Sequence, residues 1–286
     1  MLILCADDYA LTEGVSRAIG ELAAARRLSA TSVMVTTRHW PAASARLSAH
    51  RGHLALGLHL NLTLGAPLGP MPKLAPRGQF PGRNALMGRA LLGTLQRAEI
   101  RGEIARQLDA FEIAIGHPPD HIDGHEHTHV LPGIRSPLLD VIAGRYGAIK
   151  PLVRDPSDRW QAINARRLSR GKALVVASLA GGLAKQAGRL AIPTNIGFSG
   201  FSAFDESIPY ADELAVALIE PGPRHILMCH PGHPDAELAT LDPIVQRRRM
   251  EYEALMRDGS LSDRIWRPSR AADGPPVDWL KAGGGA

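Results

Sequence analysis

Short apolar segments with strand character alternate with helical segments along most of this 286-residue chain. The apolar segments are residues 1–6, 29–37, 53–63, 147–154 and 225–231, and amphipathic stretches lie between them. Because helices separate the strands, we expect the strands to be parallel. The pattern predicts an α/β protein with a distorted, TIM-barrel-like (β/α) fold.

No repeat period or break in composition divides the chain, so we expect a single domain over residues 1–270. Residues 65–82 are rich in glycine and proline and form a candidate lid loop. Residues 157–190 are basic and amphipathic, and we expect a variable helical segment there that borders a substrate groove. Residues 271–286 are expected to be a flexible tail.

Polar side chains collect at the predicted C-terminal ends of the strands, where (β/α) barrels carry their active sites. They are Asp7, Asp8, His59, the segment from His121 to His129, Arg154 and His230. Each has an ordinary alternative when taken alone: an aspartate can cap a helix, and a histidine can be a satisfied core group. Their shared location at the strand ends favours a functional site.

Four of the nine residues from His121 to His129 are histidines, and they alternate with other residues. Read as a strand, this segment aims His121, Asp123, His125, His127 and His129 towards one face. Side chains two residues apart are separated by roughly 6–7 Å, whereas metal–imidazole bonds are about 2.0–2.1 Å. One ion can therefore take at most two of these side chains. We expect Asp123 and His121 to contact the metal ligands and orient them, without binding the metal themselves.

Two further residues suit the chemistry of such a site. His230 could protonate a leaving group, although it could also be a turn histidine before Pro231. Arg154 could stabilise an oxyanion or clamp a carboxylate of the substrate, and its alternative is a surface ion pair.

The formal charge of +5 and the pI of about 9.5 would permit binding to nucleic acid or to an anionic membrane surface. The arginines are scattered in pairs that suit helix faces, and no nucleic-acid motif accompanies them, so we expect no nucleic-acid partner. The longest apolar stretch, residues 173–192, contains Lys185 and Arg189, so we expect no integral membrane segment. Two cysteines and the lack of a signal-peptide pattern predict a cytoplasmic protein.

Four segments, CADDYALTEGVSRAI, GLHLNLT, HIDGHEHTHVLP and MCHPG, follow one another in this order. In order and spacing they resemble the YdjC-type carbohydrate deacetylases, the family of chitooligosaccharide deacetylases and hopanoid-biosynthesis-associated deacetylases. The resemblance covers most of residues 1–255. It departs from the usual ADDFG motif at Tyr9 and Ala10, and residues 155–195 show no match. The four motifs are specific only when taken jointly.

The resemblance implies a TIM-barrel-like hydrolase that removes the N-acetyl group from an acetylated amino sugar and releases acetate. By position it implies Asp8, His59 and His125 as metal ligands, Asp7 as general base and His230 as general acid. The cofactor is then one divalent ion. Two imidazoles favour Zn²⁺ by softness, but family members are also described with Mg²⁺, so the ion stays open. The resemblance further suggests a homodimer.

Other functions stay open at this point. A different barrel metallohydrolase, such as a phosphoesterase, would use two or three metal ions, which the further histidines His121, His127 and His129 would allow. A deacetylase could also act on a lipid-linked (hopanoid) sugar, for which the basic segment 157–190 would rest on a membrane. A non-catalytic metal-binding or sugar-binding protein would be indifferent to the substitution Asp7→Asn.

Overall fold

The structure is a computed structural model that describes residues 1–271 and 273–282. The strands are β1 Leu2–Tyr9, β2 Ala30–Val33, β3 Ala55–Leu60, β4 His121–Gly124, β5 Leu152–Val153, β6 Phe198–Ser199 and β7 His225–Cys229. They form one parallel sheet in the order β5-β4-β3-β2-β1-β7-β6.

The sheet curls towards a barrel. Val153 at one edge also pairs with Thr194, and the same segment continues into β6 at the other edge, so that residues 194–199 touch both edges. Around the sheet lie α1 Glu13–Ala24, α2 Trp40–Ser48, α3 Arg83–Leu91, α4 Arg97–Ile115, α5 Arg135–Arg145, α6 Trp160–Arg166, α7 Arg170–Ala180, α8 Leu183–Arg189, α9 Tyr210–Ala217, α10 Leu238–Leu241, α11 Val245–Arg257 and α12 Gly259–Arg264. The predicted TIM-barrel-like α/β fold is confirmed.

The inward-facing side chains change from apolar to ionisable along the strands. Near the strand starts, Ile3, Ala30, Ala55 and Leu152 belong to one buried cluster. The next layer contains Cys5, Ser32, Gly57 and His121, and the layer at the C-terminal ends contains Asp7, His59, Asp123 and Arg154. This layering places the polar residues at the end of the barrel where the sequence predicted them.

Gly57 on β3 makes room for one of these side chains. It pairs in register with His121 on β4, and a Cβ atom on Gly57 would lie 2.2 Å from Nε2 of His121. Any other residue at position 57 would therefore displace the imidazole from the barrel interior.

Several predicted elements differ from the structure. The helix expected near residues 86–115 is two helices, because the chain turns between α3 and α4 at Gly93, which has a positive φ. The strand expected over 147–154 is only β5, Leu152–Val153. Within the described residues, no helix combines the length and hydropathy that a membrane crossing requires.

The predicted lid loop packs against the long helix α4. Its backbone N–H groups at Leu68 and Leu74 donate to the carboxylates of Glu103 and Glu99, and its side chain Phe80 is buried. The lid function of residues 65–82 stays a prediction.

The C-terminal segment packs against the apolar end of the barrel. Val277 and Trp279 are buried in the cluster that contains Ile3 and Ala30. The indole N–H of Trp279 donates to the backbone oxygen of Asp120 at 2.5 Å. The predicted domain boundary at residue 270 stays a prediction, and residues 272 and 283–286 of the predicted tail lie outside the described residues.

We expect Trp279→Phe to lower the free energy of unfolding by about 1–3 kcal/mol, because the change leaves a void and removes the bond to Asp120. Urea denaturation measures the difference. Leu280→Ala is the matched control: its side chain is 63% exposed, so we expect a change within about 0.5 kcal/mol. Equal effects in both variants would contradict the burial of Trp279.

Candidate metal centre and active site

Asp7 and Asp8 both border one cavity, although successive side chains of a regular strand point to opposite faces. The pairing of β1 with β2 shifts register between Ala6 and Tyr9, and Asp8 adopts a left-handed φ of 70°. Such a bulge redirects a side chain and is frequent beside functional sites. The local geometry therefore explains how two adjacent carboxylates serve one site.

His59 reaches Asp8 from β3. Its Nε2 lies 3.2 Å from Oδ1 of Asp8, while its Nδ1 lies 2.6 Å from Oδ1 of Asp123, its partner in register on β4. The carboxylate of Asp123 fixes the tautomer and leaves Nε2 to face Asp8, as expected of a residue that orients a ligand. Burial favours neutral His59, but Asp123 and Asp8 outweigh burial and raise its pKa to about 10.

His125 does not lie on a strand, and the prediction of a strand through His129 is wrong. Strand β4 ends at Gly124, and His125–Val130 forms a 3₁₀ turn in which Glu126 and His127 have left-handed backbones. Alternation of histidines therefore does not put them on one face beyond Gly124. The turn brings Nδ1 of His125 to 3.1 Å from Oδ1 of Asp8.

The three predicted ligands converge. One donor atom each from Asp8, His59 and His125 lies within 4.8 Å of the others. A carboxylate and two imidazoles form a donor set that suits Zn²⁺ and other divalent ions, so these residues fit a metal. Burial works against the charge of Asp8, but Arg248 and His125 outweigh it and hold the pKa of Asp8 well below its usual range.

Arg248 on α11 was missed by the sequence reasoning. Its Nη2 lies 2.5 Å from Oδ2 of Asp8 and 2.5 Å from Oδ2 of Asp242. The sequence predicts that the arginines lie on helix faces, but Arg247 and Arg248 are buried. A useful signal was present, since three consecutive helical residues span about 200° and cannot all face solvent.

Arg154 belongs to the same C-terminal layer as Asp7 but is not part of the cavity lining. Its Nη1 and Nη2 donate to Oδ2 and Oδ1 of Asp7 at 2.6 and 2.7 Å, and Nη2 also pairs with Asp123. The side chain is fully buried, with its guanidinium 5.8 Å from the ring centre of Phe198. The predicted contact with substrate or an oxyanion stays untested, and this geometry favours Arg154 as a residue that positions Asp7.

Two further histidines, His121 and His129, are engaged in the barrel wall. Nε2 of His121 lies 3.3 Å from the hydroxyl of Ser32, and this hydroxyl donates to Asp123 at 2.6 Å. Nε2 of His129 donates to the backbone oxygen of Arg154 at 2.8 Å. The structure thus places His121 next to Asp123, as expected, but gives it no contact with the predicted ligands.

His230 follows β7 and borders the same cavity. Its backbone N–H donates to Oε2 of the buried Glu251 at 2.5 Å, and its ring lies 6.0 Å from that of Phe204. Burial lowers the pKa of His230 to about 4, although the nearby Asp8 carboxylate opposes this shift. The ring is therefore neutral at pH 7 before substrate binds.

The cavity has a volume of about 620 Å³, enough for a sugar of one or two residues. Its lining contains Asp7, Asp8, His59, His125 and His230. It also contains charged side chains such as Arg83, Glu126 and Lys172, and the apolar side chains of Leu64, Met87, Val175, Val176, Leu179, Leu241 and Ile244. Helix α7, from the predicted variable segment, supplies three of these residues, so that segment borders the site as expected.

The chain is similar to known proteins over most of its length. It is 32% identical over 247 residues to a chitooligosaccharide deacetylase of Yersinia pestis (strain Pestoides F), an alignment that covers 84% of this chain and 85% of that protein. Chitooligosaccharide deacetylases of Serratia marcescens and of Enterobacter sp. (strain 638) are 36% and 37% identical, over 56% and 51% of this chain. Those two alignments span only 62% and 57% of the relatives.

A crystal structure from Enterococcus faecalis V583, of a candidate cellobiose-phosphate cleavage protein, shares the fold. Its TM-score is 0.67 at 22% identity, and the superposition covers 92% of each chain. The family model described as YdjC-like protein matches residues 1–262. The predicted resemblance is thereby confirmed, and this chain belongs to the YdjC-like family.

Proposed function

We propose that this protein is a metal-dependent carbohydrate deacetylase that removes the acetyl group from an acetylated amino sugar. The observation that carries the proposal is the convergence of Asp8, His59 and His125 beside Asp7 in the lining of a sugar-sized cavity. The similarity to three chitooligosaccharide deacetylases supports the substrate class.

Asp8, His59 and His125 would hold the metal. A divalent ion at this position polarises an amide carbonyl and lowers the pKa of water. Asp123 keeps Nε2 of His59 free for coordination, and Arg248 fixes the second oxygen of Asp8. Two imidazoles favour Zn²⁺, and Mg²⁺ is the alternative that only a metal analysis can decide.

Asp7 is the proposed general base. Arg154 holds both of its oxygens, so the carboxylate keeps one orientation for taking a proton from the attacking water. The C–N bond then breaks, and the amine nitrogen must gain a proton to leave. His230, which borders the cavity, is the proposed donor of this proton. Because His230 is neutral at pH 7, it must first gain a proton in the reaction cycle, and the one removed from water is available. Acetate and a free amino sugar result.

The predicted alternative of a phosphoesterase with several metals has less support. Two of the further histidines, His121 and His129, already make hydrogen bonds within the barrel wall. The second candidate substrate, a lipid-linked amino sugar, is favoured by one observation: helix α7 contributes apolar side chains to the cavity lining, and Val175 among them is 58% exposed. An unlinked sugar offers little apolar surface to cover such side chains.

Acetate release from N,N′-diacetylchitobiose and from an octyl glycoside of N-acetylglucosamine tests both substrates. We expect release by protein loaded with Zn²⁺ or Mg²⁺ and none after chelation, because the ion supplies the carbonyl polarisation. Faster release from the octyl glycoside, judged by kcat/KM, would favour the lipid-linked substrate. No release from either compound, with one metal bound per chain, would contradict the proposed function for these substrates.

A further inference from the structure

The proposed mechanism leaves His127 without a role, although this residue borders the cavity two positions after the ligand candidate His125. Its backbone is left-handed, with φ 58° and ψ 24°, directly after left-handed Glu126. Two consecutive residues other than glycine in this region are strained, and strained residues concentrate at binding sites. The turn gives His127 a different direction from that of His125.

Aromatic neighbours hold the His127 ring in one orientation. Phe198 meets it edge to face, with ring centres 5.8 Å apart and an interplanar angle of 86°. Phe201 also contacts it, at 5.5 Å and 64°, and the two phenylalanine rings lie 5.3 Å from each other. A ring packed in this way has little rotational freedom, so the side chain is ordered before any ligand arrives.

The hydrogen bonding of His127 is incomplete. Nδ1 is buried and has no partner among the described residues, and no hydrogen bond within them uses Nε2. His121 and His129 differ, because each uses its Nε2 within the barrel wall. Since Nδ1 is enclosed and the ring borders the cavity, Nε2 is the atom that can meet a ligand.

The buried Nδ1 favours one tautomer. Buried N–H groups without an acceptor are rarer in proteins than buried acceptors without a donor. We therefore assign the proton of the ring to Nε2, where a partner can enter. His127 then presents an N–H donor to the cavity, which suits a hydroxyl or carbonyl oxygen of a sugar.

We propose that His127 is a substrate-binding residue that donates a hydrogen bond from Nε2 to an oxygen of the acetylated sugar, and so positions the sugar over Asp7 and the metal ligands. This inference rests on the proposed function and adds a determinant of substrate binding to it. The bond forms in the ground state and persists through the reaction, so it contributes to substrate affinity and not to the chemical step.

The matched variants are His127→Phe, which keeps an aromatic ring packed against Phe198 and Phe201, and His127→Gln, which keeps an N–H donor near the position of Nε2. Steady-state kinetics on N,N′-diacetylchitobiose give KM and kcat. Titration calorimetry of the same sugar in an Asp7→Asn background gives Kd without turnover. Thermal unfolding and the metal content of each variant show whether the fold and the metal centre are intact.

We expect His127→Phe to raise KM and Kd about tenfold with kcat within about threefold, which is the size of one hydrogen bond. His127→Gln should stay within about threefold of the parent. Unchanged KM and Kd in His127→Phe, or a fall in kcat alone, would overturn the inference while the deacetylase proposal stands. A parent protein that neither binds nor deacetylates the sugar would refute the proposed function and the inference with it.

Discussion

Asp7→Asn is expected to lower kcat for acetate release by about 10²–10⁴-fold while one metal ion per chain remains bound. Asparagine has nearly the shape of aspartate but cannot accept the proton of the attacking water, and general-base catalysis contributes an effect of this size. The metal should stay because its three candidate ligands, Asp8, His59 and His125, are unchanged. Kinetics on reconstituted protein and elemental analysis measure the two quantities.

Asp8→Asn is the control that distinguishes the loss of a general base from the loss of a metal ligand. It removes a ligand charge, so both the metal and the activity should be lost. Asp242 still pairs with Arg248 in this variant, which limits the effect on folding. If Asp7→Asn kept full activity, Asp7 would not be the base. If it lost its metal along with Asp8→Asn, Asp7 would belong to the ligand set instead.

The site could be located from the sequence because parallel strands bring their C-terminal ends together. Asp8 and His59 are far apart in the chain, yet both end a strand of one sheet, and their side chains meet. The alternation of strands and helices was sufficient for this, since it predicts the fold class and the face that carries the polar residues. Their catalytic roles stay predictions.

The conformation of the His-rich segment could not be predicted in the same way. Alternating histidines suit a strand, but the chain turns after Gly124, and left-handed residues such as His127 are held there by tertiary contacts with Phe198 and Phe201. Local patterns do not contain those contacts. The turn brings His125 to Asp8, whereas His127 packs against Phe198 and Phe201.

The roles of the two buried arginines also depend on contacts between residues far apart in the sequence. Arg248 pairs with Asp8, which is 240 residues away, and Arg154 pairs with Asp7, which is 147 residues away. Neither partner can be read from the residues around the arginine. A charged residue that is fully buried requires a counter-charge. The burial of Arg154 therefore predicts a carboxylate partner and argues against contact with the substrate, but this burial cannot be predicted from the local sequence.

Arg154→Met is expected to lower the free energy of unfolding by about 3–5 kcal/mol, the usual cost of removing one partner from a buried ion pair. Methionine is close to arginine in length and can pack on Phe198, so lost volume contributes little. The main cost is electrostatic, because Asp7 and Asp123 would remain buried without the cation that they share. The charge of Arg154 is important for Asp123 in particular, since Arg154 and His59 together lower the pKa of this carboxyl despite its burial. Urea denaturation in the metal-free state measures the change.

Arg145→Met is the matched control, because Arg145 also bridges two carboxylates, Asp109 and Glu112, but at the surface. We expect its loss to cost less than about 1 kcal/mol. The double variant Asp7→Asn with Arg154→Met should recover part of the stability, since it removes one of the two unpaired charges. Equal costs for Arg154→Met and Arg145→Met would mean that Asp7 and Asp123 do not depend on Arg154. The orientation of Asp7 would then need another explanation.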